Sequence, residues 1–283
     1  MYTSIPIQIG YKSNKEYKHN FHSHSEFEIY LFHEGKGNYL IADKIYALQP
    51  GDLIIMHGMT LHRANVQTDL PYIRSIVHFD PSYAENLFCY PNHLDVLKPF
   101  HQLKNHRISL SNDQLEEISN LLNRVQSLSQ SNNVFDYHEL HTRFMDLLVL
   151  VYRYFESSLD VHQVHLPGSK EKHAQNIITY IEQNFREDLH LEDLESDLHV
   201  NRHYLSKLFK EVTGITIFHY LLQRRINEAK MLLLLDNSLS LTYVSYQVGF
   251  KHPAHFSRVF KERVGCAPDI YRKQLQRQDA NES

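Results

Sequence analysis

The stretches "YLSKLFKEVTG" (204–214) and "HFSRVFKERVG" (255–265) align without a gap, with serine, phenylalanine, lysine, glutamate and glycine coinciding. Lys207 pairs with Arg258, Leu205 with Phe256 and Leu208 with Val259, so one unit is used twice. At helical spacing Leu205, Leu208, Phe209 and Val212 fall on one side of the first copy, and His203, Ser206, Lys207 and Lys210 opposite. In the second copy Phe256, Val259 and Phe260 cluster, and Ala254, Ser257, Arg258 and Lys261 face away. Each copy follows a shorter helical segment, "LEDLESDLHVN" and "LTYVSYQVGFKH", in which Leu194 and Leu198 match Val244 and Val248. The second turn holds one residue more, and Gly249 gives it a permissive backbone. Asn201 and His252 stand at the N-cap positions, asparagine being the better cap. Short helix, tight turn and basic second helix predict two helix-turn-helix units.

The chemistry that suits such a pair is DNA reading, because the major groove admits one α-helix and presents a distinct hydrogen-bond pattern at each base pair. Lys207 and Arg258 are placed to reach base edges, and Arg202 is grouped with them at the start of the first recognition helix. Lys210 and Lys261, one turn on, are expected on phosphates, as are Arg224, Arg225 and Arg263. A helix over about 217–235 would join the units and set the two recognition helices roughly one helical turn of DNA apart. Charge agrees with this placement. Residues 201–277 carry 13 Lys+Arg against 5 Asp+Glu, whereas residues 1–169 carry 13 against 18.

The rest of the 283-residue chain is long enough for a second domain and, at 42% hydrophobic residues, for a second core. No apolar signal segment follows the start, and the longest apolar runs are too short to span a bilayer, which predicts a cytoplasmic protein with no membrane partner. Cys89 and Cys266 are far apart and suggest no disulfide framework. From 25 to about 80 a period of two, with Phe27, Ile29 and Leu31 in alternation, and turns at "EGKG", "ADK" and "QPGD" predict a small antiparallel barrel or sandwich. From Ser111 the period changes. A capping box, Ser111 with Gln114, opens a helix carrying Leu115, Ile118, Leu122, Val125 and Leu128. A second helix, about 136–157, carries Leu140, Phe144, Leu147, Leu148, Val151 and Phe155. Either both stripes are internal, or one packs on the barrel and the other pairs with a second copy of the chain. Residues 158–172, with Pro167 and Gly168, read as an interdomain linker and a route for control.

The C-terminal stretch "VGFKHPAHFSRVFKERVGCAPDIYRK" resembles the signature of the AraC/XylS transcription regulators, which Gly249, Phe250, Phe256, Ser257, Arg258, Phe260, Lys261, Gly265, Pro268, Tyr271 and Arg272 fill. The resemblance covers about 173–277 and, with "RRINEAKMLL", includes the linking helix. Glu195 and Ser245 stand where the family has a small alanine, and Thr216 where it often has proline. The resemblance implies base-reading positions at His203, Ser206, Lys207, Ala254, Ser257 and Arg258. It also implies double-stranded promoter DNA as partner, homodimerisation through helices after the barrel, and contact with RNA polymerase if the protein activates.

The same resemblance implies an N-terminal cupin-type barrel that binds a small effector. "FHSHSEFEIYLFHEG" (21–35) is similar to the first cupin motif and "GDLIIMHGMTLH" (51–62) to the second, although Glu16, His57 and Met59 replace their glycine, proline and glycine. The motif positions are His22, His24, Glu28 and His62, which would hydrogen-bond a sugar or other polyol, with Tyr30, Tyr39 and Arg74 as further candidates. His22 and His24, two residues apart, would face one side of a strand. In metal-dependent cupins those four positions hold a divalent ion, so a metal enzyme or metal sensor fused to a DNA-binding domain is the alternative; a constitutive DNA binder is another. The expected organisation is therefore α+β and multidomain. A cupin-like β-barrel with dimerisation helices occupies 1–157, a linker 158–172, and an all-α double helix-turn-helix 173–277. No catalytic residue and no obligate cofactor are expected.

Overall fold

The computed structural model describes residues 6–15, 21–91, 93–102, 105–159, 168–236 and 238–281. Eight strands come first: β1 Ile7–Ser13, β2 Phe27–Glu34, β3 Gly37–Ile41, β4 Lys44–Ala47, β5 Asp52–Met56, β6 His62–Val66, β7 Ile73–Phe79 and β8 Asn105–Ser109. Helices α1 Pro81–Leu87 and α2 Lys98–Gln102 lie between β7 and β8, and α3 Asn112–Ser129 and α4 Val134–Leu159 follow. The strands form a five-stranded sheet, β1-β7-β2-β5-β8, and a three-stranded sheet, β4-β3-β6. Residue parity along β2 explains the layering. Phe27, Ile29 and Leu31 join a core with α3 and α4, while Tyr30 and Phe32 join a second core with Tyr39, Ile41 and Ala64 of the smaller sheet. One face of the larger sheet is thus helix-covered and the other faces the smaller sheet.

The predicted capping box is present: Gln114 N–H donates to Ser111 Oγ, and Ser111 N–H donates to Gln114 Oε1. Ile118, Leu122, Val125 and Leu128 of α3 are buried, as are Leu140, Phe144, Leu147, Leu148, Val151 and Phe155 of α4. Both stripes are buried inside this unit, which is the first of the two alternatives that the periodicity left open. Each buried large apolar side chain contributes roughly 1.5 to 3 kcal/mol, so these helices are integral to the unit.

The chain forms two compact units whose main break falls between α4 and α5. The predicted linker is shorter than 158–172 at both ends, because α4 runs to Leu159 and α5 begins at Ser169; residues 160–167 lie outside the described residues. The second unit is helical: α5 Ser169–Asn184, α6 Leu191–Leu198, α7 Arg202–Thr213, α8 Ile217–Leu235, α9 Leu241–Gln247, α10 Pro253–Val264 and α11 Pro268–Asn281. The joining helix α8 has the predicted bounds. The repeat also holds at the helix ends, since α7 stops on Gly214 (φ 74°) and α10 on Gly265 (φ 90°), both left-handed caps. No helix among the described residues is long and apolar enough to cross a membrane.

Candidate functional site

In α7 the residues Leu205, Leu208, Phe209 and Val212 are buried, and in α10 Phe256, Val259 and Phe260. That burial turns His203, Lys207 and Lys210 of α7, and Ala254, Arg258 and Lys261 of α10, to the exterior, with Ser206 and Ser257 half-buried beside them. The two basic faces are therefore real surfaces, suited in chemistry to phosphates and base edges. Arg202 differs, being engaged by Glu192 and by Glu195 at 3.9 Å, so it would have to exchange a carboxylate for DNA. Asn201 caps α7, its Oδ1 accepting from His203 N–H at 2.9 Å, whereas the His252 side chain makes no cap and α10 starts instead on Pro253.

Three arginines expected on phosphates serve the fold instead. Arg224 pairs with Glu182 at 2.7 Å and Glu228 at 2.8 Å. Arg225 donates to the carbonyls of Phe185 and Glu187, and Arg263 to His219 and Gln223. The family departures are accommodated: Ser245 is buried with its hydroxyl on the Thr242 carbonyl, Thr216 caps α8 by accepting from His219 N–H, and Glu195 also accepts from Asn201.

The second site is a cavity of about 280 Å³ in the first unit, lined by Gln8, His22, His24, Glu26, Glu28, Tyr39, His62, Arg74, Ile76 and His78. Parity builds it: Glu28 has the same parity on β2 as Tyr30 and Phe32, and Arg74, Ile76 and His78 alternate along β7. The four motif residues meet here as expected, with one correction. His22 and His24 do not sit on a strand; they precede β2 in irregular backbone, joined to β6 by an isolated bridge between His22 and His62. Their rings still converge, with centroids 4.2 Å apart for His22 and His62 and 5.1 Å for His24 and His62. Tyr39 and Arg74 line the cavity, while Tyr30 is in the core with its hydroxyl on that of Tyr72.

Glu28, 2% exposed, is the centre of the cluster. Its Oε2 lies 3.3 Å from His24 Nε2, 3.4 Å from His62 Nε2 and 3.0 Å from His78 Nε2. Burial alone would raise its pKa, but the imidazoles outweigh it and hold the carboxyl well below its ordinary range. Burial likewise opposes a charge on His78, and Glu28 overrides it, raising the His78 pKa. His78 is the residue sequence reasoning missed, because it belongs to neither motif; it stands opposite Glu28 in the β2–β7 register.

Gly58 lies against the segment that carries His24, its carbonyl oxygen accepting from His24 N–H at 3.0 Å. A Cβ there would lie 1.7 Å from the Glu26 carbonyl oxygen and 2.7 Å from His24 Nδ1, so the glycine that the second motif places at 59 is needed here one residue earlier. Gly58→Ala should cost at least roughly 1 to 3 kcal/mol through forced displacement of that backbone. Thermal unfolding would register the loss, and a crystal structure of the variant would reveal a displaced His24; an unchanged melting temperature and ring position would refute the reading.

Residues 7–148 match the family model of the AraC-like ligand binding domain, half of the chain. The chain belongs to the AraC family. Residues 194–274 match a helix-turn-helix domain model, which spans both units of the repeat in this AraC-family chain. Three relatives resemble it along most of their length. An uncharacterized transcriptional regulator of Escherichia coli, YdiP, is 23% identical over 272 residues, covering 95% of this chain and 86% of its own. The Msm operon regulatory protein of Streptococcus mutans is 27% identical over 253 residues, 88% and 85%. The transcriptional activator RhaS of Mannheimia succiniciproducens is 23% identical over 250 residues, 87% of each. This AraC-family protein is accordingly a DNA-binding transcription regulator with a small-molecule-binding domain, and its relatives are named as regulators rather than enzymes.

Proposed function

We propose that this AraC-family regulator is a cytoplasmic activator of transcription whose effector is a sugar or related polyol held by His22, His24, Glu28 and His62. The observation that carries this reading is the cavity itself: two carboxylates, four imidazoles, Tyr39 and Arg74 converge between the sheets of the ligand-binding domain. Such a lining offers both donors and acceptors, which suits hydroxyl groups that are each both at once. Activation is supported by the relative named as an activator, and it entails contact with RNA polymerase. Reading of promoter DNA is assigned to His203, Ser206, Lys207, Ala254, Ser257 and Arg258, with Lys210, Lys261 and a freed Arg202 on phosphates. The homodimer is assigned to the outer faces of α3 and α4, where Phe135 is exposed.

The test is a thermal-shift panel of sugars and polyols. A true effector at a hundred times its Kd adds about 2.7 kcal/mol, a rise of roughly 5 to 10 °C for a unit of this size. His24→Ala should abolish the rise. A panel in which no polyol moves the melting temperature, while an apolar compound does, would sink the assignment.

A further inference from the structure

We propose that the first helix-turn-helix is locked by its own carboxylates. Glu192 and Glu195 of α6 hold Arg202 in place of a DNA phosphate, so α10 engages DNA without this cost and α7 only by exchange. This rests on the reading of α7 and α10 as recognition helices and adds an inequality between them.

The geometry is concentrated at one point. Arg202 is the first residue of α7 and Asn201 its cap. The Arg202 guanidinium is paired with Glu192, and its Nε lies 3.9 Å from Glu195 Oε2. Glu195 Oε1 also accepts from Asn201 Nδ2 at 3.3 Å. Two carboxylates of the leading helix thus converge on the cap and first residue of the helix that reads bases. A helix-turn-helix meets the phosphate backbone at this place: the leading helix crosses it, and the positive end of the second helix favours an anion. A carboxylate there offers Arg202 the same charge and the same acceptors as a phosphate.

The repeat supplies the comparison. The counterparts of Glu192, Glu195 and Arg202 in the second helix-turn-helix are Thr242, Ser245 and Pro253, none of them charged. Ser245 is buried with its hydroxyl on the Thr242 carbonyl, whereas the longer Glu195 side chain is 38% exposed and reaches the start of α7. Net charge diverges in the same sense. Residues 191–213 carry 3 Lys+Arg against 5 Asp+Glu, net −2, and residues 241–264 carry 4 against 1, net +3. Attraction to a polyanion follows these charges, so the second helix-turn-helix supplies the anchorage and the first approaches with a deficit.

The lock is shallow by construction. Exposed ion pairs contribute little, and once α10 is bound the neighbouring phosphates are held at high local concentration, so exchange is within reach. The cost falls on every half-site that α7 meets. Only one whose bases satisfy His203, Ser206 and Lys207 repays it, which sharpens discrimination at that half-site.

The experiment is a double-mutant cycle on the full-length chain, with a DNA duplex enriched by the wild-type protein from a random-sequence pool as probe. Fluorescence anisotropy gives Kd for wild type, Glu192→Gln/Glu195→Gln, Arg202→Ala and the triple variant. Replacement of the two glutamates should tighten binding, and the gain should be roughly 2- to 30-fold larger with Arg202 present than in the Arg202→Ala background. An equal gain in both backgrounds, or none, overturns the lock. Asp197→Asn removes a charge from the same helix outside the Arg202 pairs, so its effect should not depend on Arg202. Glu192→Gln alone, at a 64% exposed side chain, guards against misfolding and should show the same dependence in smaller size. Hydroxyl-radical footprinting adds a readout that altered stability would not move. The added protection should be confined to the half-site whose base preference changes in Lys207→Ala, and added protection at the Arg258 half-site instead overturns the proposal. Wild-type protein that enriches no duplex removes the recognition-helix reading itself, whereas binding with a background-independent gain removes only the lock.

Discussion

Gly249→Ala is expected to destabilise the C-terminal unit by roughly 2 to 5 kcal/mol and to abolish operator binding at physiological temperature. Gly249 sits at φ 86°, where an L-residue loses about 1 to 2 kcal/mol. A Cβ there would also meet the Arg186 carbonyl oxygen at 2.6 Å and the Arg186 Cα at 2.9 Å. Those contacts are backbone, so relief requires α9 and α10 to move away from the segment after α5. Chemical denaturation of wild type and variant measures the effect. The first helix-turn-helix supplies the control: His199 closes α6 at φ 53° and is exposed, so His199→Gly should leave stability unchanged or raise it by up to about 1 kcal/mol. Equal losses from both substitutions would mean that the two turns are not governed by backbone conformation.

The second large effect concerns DNA. Lys207 and Arg258 project from different recognition helices, so their contributions should add. Each removed base contact costs about 1 to 3 kcal/mol, which makes the Lys207→Ala, Arg258→Ala double variant roughly 30-fold to about 20,000-fold weaker on its operator. Base preference should relax at two separated positions. By contrast, Lys210→Ala or Lys261→Ala should weaken binding to every sequence alike and lower the salt slope by about one. Fluorescence anisotropy across a salt series distinguishes the cases. A double variant that keeps wild-type affinity and preference would remove both residues from base reading.

The helix-turn-helix pair was legible because its two signals are local: a repeat visible by alignment, and a 3.6-residue period that sorts Leu205 from Lys207 without knowledge of any partner. The sensor cavity was legible in part for the same reason, since its motif residues lie close in sequence. What escaped depended on partners distant in the chain. Arg224, Arg225 and Arg263 look like phosphate ligands until α5 supplies Glu182, the segment after it supplies the carbonyls of Phe185 and Glu187, and α8 supplies His219 and Gln223. His78 becomes a site residue only when the β2–β7 register sets it opposite Glu28. The stripes on α3 and α4 could not reveal which apolar surface covers them, because amphipathicity measures a need for burial and not its source.

Those arginines also bear on the operator. Arg224, with Tyr220, fastens the first half of α8 to Glu182, and Ile226, Ala229 and Leu233 are packed into the core of the second unit. The 19-residue helix is therefore clamped at both ends over roughly 28 Å. Adding a base pair between the two half-sites would rotate one away from the other by about 35°, and a clamped helix cannot follow. Tolerance of altered spacing has to come from the DNA, through flexible pyrimidine–purine steps in the spacer that unwind or bend to bring the half-sites back into phase.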